Sequence, residues 1–115
     1  MSGGECTLQP EFSAALLEES HRRGLTTAIE TAGNVPWAFF ERVVRHADTV
    51  LHDYKATDPR AHRRWTGVGN ERILENFQRA YETFPDKRFV ARTPVIPGVN
   101  DLEDHVRAVV AFVRP

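Results

Sequence analysis

The chain has 115 residues, enough for one compact domain and no more. Hydrophobic residues make up 41% and charged residues 27%, which is typical of a globular chain and not of a disordered one. The net charge of −1 gives no electrostatic reason to expect nucleic acid or an anionic membrane as a partner. No apolar run approaches the roughly 20 residues that a membrane helix needs. The single cysteine, Cys6, excludes an internal disulfide, and no signal or transit segment follows Met1, so we expect a cytoplasmic protein.

Short β-prone runs alternate with helical patterns along the chain. The spacing of apolar residues predicts helices over 10–23, 37–47, 58–65, 73–84 and 102–113. Strands are predicted over 25–29, 48–54 and 88–92, the last one running on toward Ile96. Asn70 is the expected N-cap of the fourth helix, and Asn100 or Asp101 that of the fifth. This alternation predicts an α/β fold of parallel (β/α) units with right-handed crossovers.

In such sheets, chemistry gathers in the loops that follow the carboxyl ends of the strands. The loops to inspect are 2–9, 30–35, 53–58 and 95–101. Taken singly, each has an ordinary explanation. Two consecutive glycines are more often only a turn, a charged trio after a strand is often a solvated face, and a Pro-Gly pair before an asparagine is typical of a turn that leads into a helix.

The combination of these loops is more specific than any one of them. In order, the segments are Ser2-Gly3-Gly4-Glu5, then Glu30-Thr31-Ala32-Gly33, then Asp53-Tyr54-Lys55, then Arg92-Thr93-Pro94-Val95-Ile96-Pro97-Gly98-Val99-Asn100-Asp101. Together they resemble the activating enzymes of glycyl radical enzymes, a family of radical S-adenosylmethionine enzymes that includes the activator of pyruvate formate-lyase. The resemblance covers essentially the whole chain, including the stretch from Thr66 to Asn70. It implies that the (β/α) units form part of a partial TIM barrel.

The resemblance also implies a cofactor-binding role for residues of the first two loops. Gly3, Gly4 and Glu5 match the segment that holds the methionine amino group of S-adenosylmethionine. Glu30 and Thr31 match an acidic-threonine pair near the methionine carboxylate. In the pyruvate formate-lyase activator the acidic member is an aspartate and the pair helps to bind a monovalent cation, so the longer glutamate here puts the cation in doubt.

Residues of the later loops match further positions of that family. Asp53 and Lys55 match a segment that reaches the cofactor or the substrate peptide, and Arg92 matches an arginine that faces the active site. His105 lies where a functional histidine is expected, with an exposed helical histidine as the alternative. No residue of this chain is predicted to be catalytic or to bind a metal.

The chain departs from the family pattern in its cysteines. The family binds a [4Fe–4S] cluster through three cysteines in a C-x3-C-x2-C loop, and thiolate ligation is a hard requirement of such clusters. Only Cys6 is present, and we interpret it as a small packed residue. We therefore expect residues 1–115 to be an incomplete radical S-adenosylmethionine core domain that lacks the cluster-binding strand and loop and the C-terminal part. We expect the isolated chain to be inactive.

By resemblance, the full enzyme takes an electron from a donor such as flavodoxin, cleaves S-adenosylmethionine and places a radical on a glycine of a partner enzyme. Another radical S-adenosylmethionine enzyme, such as the activase of anaerobic ribonucleotide reductase, and a non-catalytic association module are the alternatives. The partner stays open among pyruvate formate-lyase, a diol dehydratase and a decarboxylase. Uncovered sheet edges and apolar residues near them also predict self-association, through a set to watch: Phe89, Val90, Val109, Val110, Phe112 and Val113.

Overall fold

A computed structural model describes residues 1–114. The five helices are α1 (Pro10–Arg22), α2 (Trp37–Val44), α3 (Pro59–Thr66), α4 (Glu71–Thr83) and α5 (Glu103–Val113). The three strands are β1 (Ala28–Thr31), β2 (Thr49–Asp53) and β3 (Arg88–Arg92). A short 3₁₀ turn, Cys6–Leu8, precedes α1 and was not predicted from the sequence.

The strands form one parallel sheet in the order β1-β2-β3. Thr31 lies beside His52, which lies beside Ala91, and Asp53 lies beside Arg92. Each parallel connection contains at least one helix, as the alternation of patterns predicts. The predicted class, α/β with parallel (β/α) units, is therefore confirmed.

The sheet has one face packed on helices. Since alternate strand residues point to opposite faces, the neighbours Ile29 and Val50 point the same way, and both are fully buried. They join a core to which α2 contributes Phe40, Val43 and Val44. The opposite face carries half-buried residues at the alternate positions, namely Glu30, Leu51, Asp53, Val90 and Arg92. This face, turned away from the core, holds most of the charge of the sheet.

Several predicted boundaries need correction. β1 begins at Ala28 and not at Leu25, because Leu25 N closes the end of α1 on Ser20 O and Thr27 N donates to the Asp48 carboxylate. β3 ends at Arg92 and does not run on to Ile96, because Ile96 N donates to Asn100 Oδ1.

The side chains of Asn70 and Asn100 do not play the capping roles predicted for them. Asn70 stands at the N-cap position of α4, but its side chain makes no cap hydrogen bond. The N-cap of α5 is Leu102, and neither Asn100 nor Asp101 occupies that position. Both asparagine amides instead hold loops together, with Asn70 Nδ2 donating to Ala56 O and Thr57 O.

The two sheet edges differ. On the free side of β1, the Met1 amino group donates to Ala28 O, and Glu30 N donates to Met1 O at 3.0 Å, which is a parallel-type bridge. On the free side of β3, no strand is present among residues 1–114. Of the residues to watch, Val110 and Val113 are exposed and the other four are half-buried, and self-association stays a prediction. No helix in the described part of the chain is long and apolar enough to cross a membrane.

Candidate functional site

Four charged side chains from the ends of all three strands form one network. Arg92 Nη1 lies 2.5 Å from Glu30 Oε1, and Arg92 Nη2 lies 3.2 Å from Asp53 Oδ1. Lys55 Nζ lies 3.5 Å from Asp53 Oδ2. The structure thus brings together four predicted site residues from three separate segments. We call Glu30, Asp53, Lys55 and Arg92 the charge quartet.

The fold explains why the quartet assembles. Asp53 and Arg92 are the last residues of β2 and β3 and are register partners, so their side chains emerge beside each other on the same face. Glu30 occupies the corresponding face of β1, one residue before its end. All four side chains keep contact with solvent, with exposed fractions between 21% for Asp53 and 42% for Lys55. The quartet is therefore accessible to a ligand.

The two carboxylates and two cations of the quartet balance in charge. The hydroxyl of Ser2 donates to Glu30 Oε2 at 2.5 Å. This hydrogen bond and the Arg92 guanidinium lower the pKa of Glu30, so the carboxylate stays ionised. A ligand with both an ammonium and a carboxylate group would find acceptors and donors side by side here.

Glu5 belongs to a second cluster on the other face of the sheet. Its Oε1 accepts hydrogen bonds from Thr7 N, Thr7 Oγ1 and Thr31 Oγ1 at 3.1, 2.6 and 2.7 Å, and its Oε2 accepts from Ala32 N at 2.9 Å. Burial opposes ionisation, but these hydrogen bonds outweigh it and lower the pKa of Glu5. The carboxylate is thus engaged in holding the 3₁₀ turn against the end of β1.

Because Glu5, Thr31, Asp53, Lys55 and Arg92 all lie at or near strand ends, the (β/α) pattern predicts that they line one concave face, and this second cluster shows that prediction to be wrong. Thr31 is buried on the helix-packed face, whereas Asp53 points to the opposite face, so the quartet does not include Glu5 or Thr31. Gly3 and Gly4 are exposed and adopt positive φ angles of 88° and 65°, which leaves their backbone groups open to a ligand. Contact of Gly3, Gly4, Glu5 and Thr31 with a methionine moiety stays a prediction.

His105 lies in a different place from the quartet. It is buried on α5, Nδ1 pairs with Thr57 Oγ1 at 2.7 Å, and Nε2 has no partner among the described residues. Burial lowers the pKa of His105. It is therefore not the exposed helical histidine of the alternative interpretation. A functional role for it stays a prediction.

Sequence reasoning missed the residues that support the loop 30–35. His52 is buried against Phe40 and Phe77, its Nε2 lies 3.1 Å from Ile73 O, and burial lowers its pKa to about 4. The ring packs against Gly33, where an added Cβ would lie 2.6 Å from His52 Cε1. Asn76 Nδ2 donates to Gly33 O at 2.8 Å and to Val35 O at 2.9 Å. The loop that follows Glu30 and Thr31 is thus clamped from two sides.

The cysteine does not suit a cluster. Cys6 is buried, its Sγ donates to Glu30 O at 3.5 Å, and burial, together with the nearby Glu5 charge, raises its pKa to about 11. Cluster iron needs several thiolates, and a raised pKa disfavours even this one. Within residues 1–114, no group of three His, Cys, Asp or Glu side chains is arranged to hold a metal ion. The residues present therefore do not fit a [4Fe–4S] cluster.

Comparisons with known proteins agree with this geometry. The family model described as Radical SAM superfamily matches residues 1–112. The isethionate sulfite-lyase activating enzyme of Oleidesulfovibrio alaskensis is 45% identical over 95% of this chain and 35% of its own length. The (2S)-3-sulfopropanediol sulfolyase activating enzyme of Bilophila wadsworthia is 43% identical over 92% of this chain and 35% of its own length. A crystallised domain of pyruvate-formate lyase-activating enzyme from Bacteroides vulgatus superposes with a TM-score of 0.86 and 31% identity, over 98% of this chain and 69% of that one.

The family model matches nearly the whole chain, and the parallel sheet carries solvent-accessible charged groups at its strand ends. The chain is therefore a radical S-adenosylmethionine domain. The chain belongs to the Radical SAM superfamily, on the branch of the activating enzymes of glycyl radical enzymes. It spans about a third of the length of the curated relatives that it matches.

Proposed function

We propose that this chain is the part of a glycyl radical enzyme activating enzyme that holds the methionine end of S-adenosylmethionine. The observation that carries the proposal is the charge quartet, in which side chains from three strand ends meet on one face. In the full enzyme, S-adenosylmethionine held next to a [4Fe–4S] cluster that other residues ligate would be the source of the radical chemistry on a glycine of the partner. A donor such as flavodoxin would supply the electron.

The quartet suits the methionine end because its contacts are exchangeable. The loosest contact is that of Lys55 with Asp53 at 3.5 Å, against 2.5 Å between Arg92 and Glu30. A ligand ammonium can replace Lys55 on Asp53, and the released Lys55 can then pair with the ligand carboxylate. This exchange keeps the charge balanced, so it does not leave a lone charge at the site. The amides of Gly3 and Gly4 provide further donors to the carboxylate.

The cluster has no fitting ligands in this chain, since Cys6 is the only cysteine and is buried. Cluster thiolates must come from outside residues 1–115, and the isolated chain is expected to bind S-adenosylmethionine weakly and not to cleave it. The partner is a glycyl radical enzyme. The sulfite-lyase activators, at 45% identity, make a lyase that cleaves a carbon–sulfur bond a candidate beside pyruvate formate-lyase, a diol dehydratase and a decarboxylase.

Titration of the isotope-labelled chain with S-adenosylmethionine, followed by amide NMR, tests the proposal and tolerates weak binding. We expect the shifts to concentrate at residues 2–5, 30–31, 53–55 and 92–93. Asp53→Asn should weaken binding by about tenfold, which corresponds to about 1.4 kcal/mol. Asp86→Asn, which changes an exposed carboxylate on a distant turn, is the matched control and should have no effect. Shifts confined to the pocket lined by Phe77, Tyr81 and Phe89 would contradict the proposal.

A further inference from the structure

Several exposed arginines elsewhere in the chain are paired within a helix or with its capping residue, whereas Arg79, Arg88 and Arg114 stand singly in different parts of the chain with no ion pair among residues 1–114. Arg22 and Arg23 pair with Glu19 on α1, Arg45 pairs with Glu41 on α2, and Arg107 pairs with Glu103 on α5. Pairs of this kind three or four residues apart are the ordinary arrangement of a solvated helix face. Arg42 of α2 instead pairs with Glu11 of α1.

The segment 58–72 concentrates arginines that have no ion pair. It contains four arginines but only two carboxylates, Asp58 and Glu71, although the whole chain carries a net charge of −1. All four arginines are exposed, and within residues 1–114 none of them forms an ion pair. We call them the arginine face: Arg60, Arg63, Arg64 and Arg72.

The arginine face is presented on a firm support. Asp58 caps α3 by accepting hydrogen bonds from Arg60 N and Ala61 N at 3.2 and 3.1 Å. His62, buried beneath the helix, lies with Nδ1 2.7 Å from Val68 O and closes the turn that follows α3. Asn70 ties the end of that turn to the loop after β2. The backbone that carries the arginines is therefore held in place, so that binding has to order only their side chains.

The position and composition of the segment favour a protein partner. Residues of the arginine face share a pocket with Asn34, which follows β1, so α3 lies at the carboxyl-end edge of the sheet, as the charge quartet does. Trp65 is 57% exposed, and Arg64 Cζ lies 5.3 Å from the centroid of its ring. Arginine and tryptophan are the residues most enriched at the energetic centres of protein interfaces.

We propose that the arginine face docks an acidic segment of the protein substrate and so guides the substrate to the charge quartet. Arginine forks suit this task because they pair with carboxylates through two parallel hydrogen bonds. This inference rests on the proposed function, since only an enzyme that acts on another protein needs such a surface. Trp65 is the only Phe, Tyr or Trp ring in the segment 58–72, so the segment offers no row of rings on which successive bases could stack, and this favours an acidic polypeptide over a single-stranded nucleic acid.

The test uses the 115-residue chain and a fluorescein-labelled peptide of about ten glutamates, with binding followed by fluorescence anisotropy at about 20 and about 200 mM sodium chloride. The triple variant Arg60→Gln/Arg63→Gln/Arg64→Gln should bind at least about tenfold more weakly than the unchanged chain at low salt. The matched control, Arg22→Gln/Arg23→Gln/Arg107→Gln, removes the same charge from other exposed positions and should stay within about twofold. Circular dichroism confirms that both variants are folded.

Equal weakening by the two triple variants would overturn the proposal, since binding would then follow net charge and not this face. Tighter binding of a single-stranded RNA of similar length, lost with the same arginines, would also overturn it and assign the face to a nucleic acid. If the proposed function is wrong, S-adenosylmethionine causes no NMR shifts at the charge quartet, whereas peptide binding to the arginine face is unaffected. The two failures can therefore be distinguished.

Discussion

Two charged clusters lie at opposite ends of the strands, one along the amino ends (the amino-end edge) and one along the carboxyl ends (the carboxyl-end edge). They are held in different ways. At the amino-end edge, Asp48 Oδ2 accepts hydrogen bonds from Thr27 N at 2.6 Å and Thr27 Oγ1 at 3.1 Å, and it lies 2.9 Å from His21 Nε2. Lys87 there donates to the carbonyls of Arg45 and Ala47. At the carboxyl-end edge, the charge quartet has ion pairs only between side chains.

This difference separates structural charges from charges available to a ligand. A carboxylate bonded to a backbone amide fixes the chain path, and its loss leaves a backbone donor unsatisfied. A carboxylate paired only with mobile side chains can exchange one cation for another at little cost. Asp48 therefore joins the start of β1 to the start of β2, whereas Asp53 and Glu30 stay free to change partners.

The backbone at the carboxyl ends of the strands is nevertheless held firmly. The loop after β1 is clamped at Gly33 by the His52 ring and the Asn76 amide. The proposed binding site would need such a rigid frame with adaptable side chains on it, and the comparison of the two clusters can be tested for both the frame and the side chains.

The largest expected effect is that of Gly33→Ala. A Cβ there would lie 2.6 Å from the buried His52 ring, and the φ of +69° is unfavourable for alanine. Gly24→Ala is the matched control, because φ is +75° but nothing lies within 4 Å. We expect a loss of about 1 to 2 kcal/mol for Gly24→Ala from the backbone alone, and a further loss of about 1 to 3 kcal/mol for Gly33→Ala from overpacking. Urea unfolding of both variants measures the two losses of unfolding free energy. Equal losses would show that the His52 ring moves aside for the added methyl group.

An intermediate effect is expected for Asp48→Asn. At pH 7 the variant should lose about 1 to 2 kcal/mol of unfolding free energy, a range kept low because the side chain is 46% exposed. The hydrogen bond with His21, then that from Thr27 N, lowers the pKa of Asp48 to about 2. Since the folded-state pKa lies below the unfolded value, the stabilisation is present above about pH 4 and is lost as pH falls toward 2.

Urea unfolding at a series of pH values checks the Asp48 prediction. The gap between Asp48→Asn and the unchanged chain should narrow steadily below about pH 4. Asp86→Asn, at an exposed carboxylate with no ion pair in the described range 1–114, should show no such gap at any pH. A gap that persists undiminished to pH 2 would mean that the Asp48 charge does not contribute to stability.

The sequence predicted much of this architecture because its signals are local. β2 lies within one residue of its predicted range, whereas β3 covers 88–92 as predicted but lacks the expected extension toward Ile96. The β-branched or aromatic residues that give the signal are adjacent in each of these two strands, as in Phe89 and Val90 of β3. β1 is displaced by three residues at its start because the end of α1 takes Leu25, a contact that propensity does not report. The positions of Glu30, Asp53 and Arg92 at the strand ends followed from the (β/α) pattern and the family resemblance.

What could not be predicted depends on residues far apart in the chain. Asn76 reaches the Gly33 carbonyl across 43 residues, and Asn100 reaches the Lys55 carbonyl across 45. As sequence signals, these asparagines resemble helix caps or surface residues. The engagement of the Glu5 carboxylate by Thr31, 26 residues away, was equally hidden. Local patterns identify the groups at the site, whereas the clamps that hold them arise only from the packed chain.

The smallest expected effect on stability is that of the quartet itself. Arg92→Gln should change the free energy of unfolding by less than about 1 kcal/mol, because the Glu30–Arg92 pair is partly exposed and anchored only through side chains. A double-mutant cycle with Glu30→Gln measures the coupling directly, and the exposed pair of Glu103 with Arg107 provides the reference. Both couplings should be small and similar in size, as is usual for solvent-exposed ion pairs. The same Arg92→Gln variant should nonetheless weaken S-adenosylmethionine binding about tenfold, since the ligand would meet an unbalanced carboxylate pair. A Glu30–Arg92 coupling well above that of the Glu103–Arg107 reference, with ligand binding unchanged, would place this pair beside Asp48 among the structural charges and remove the distinction between the two clusters.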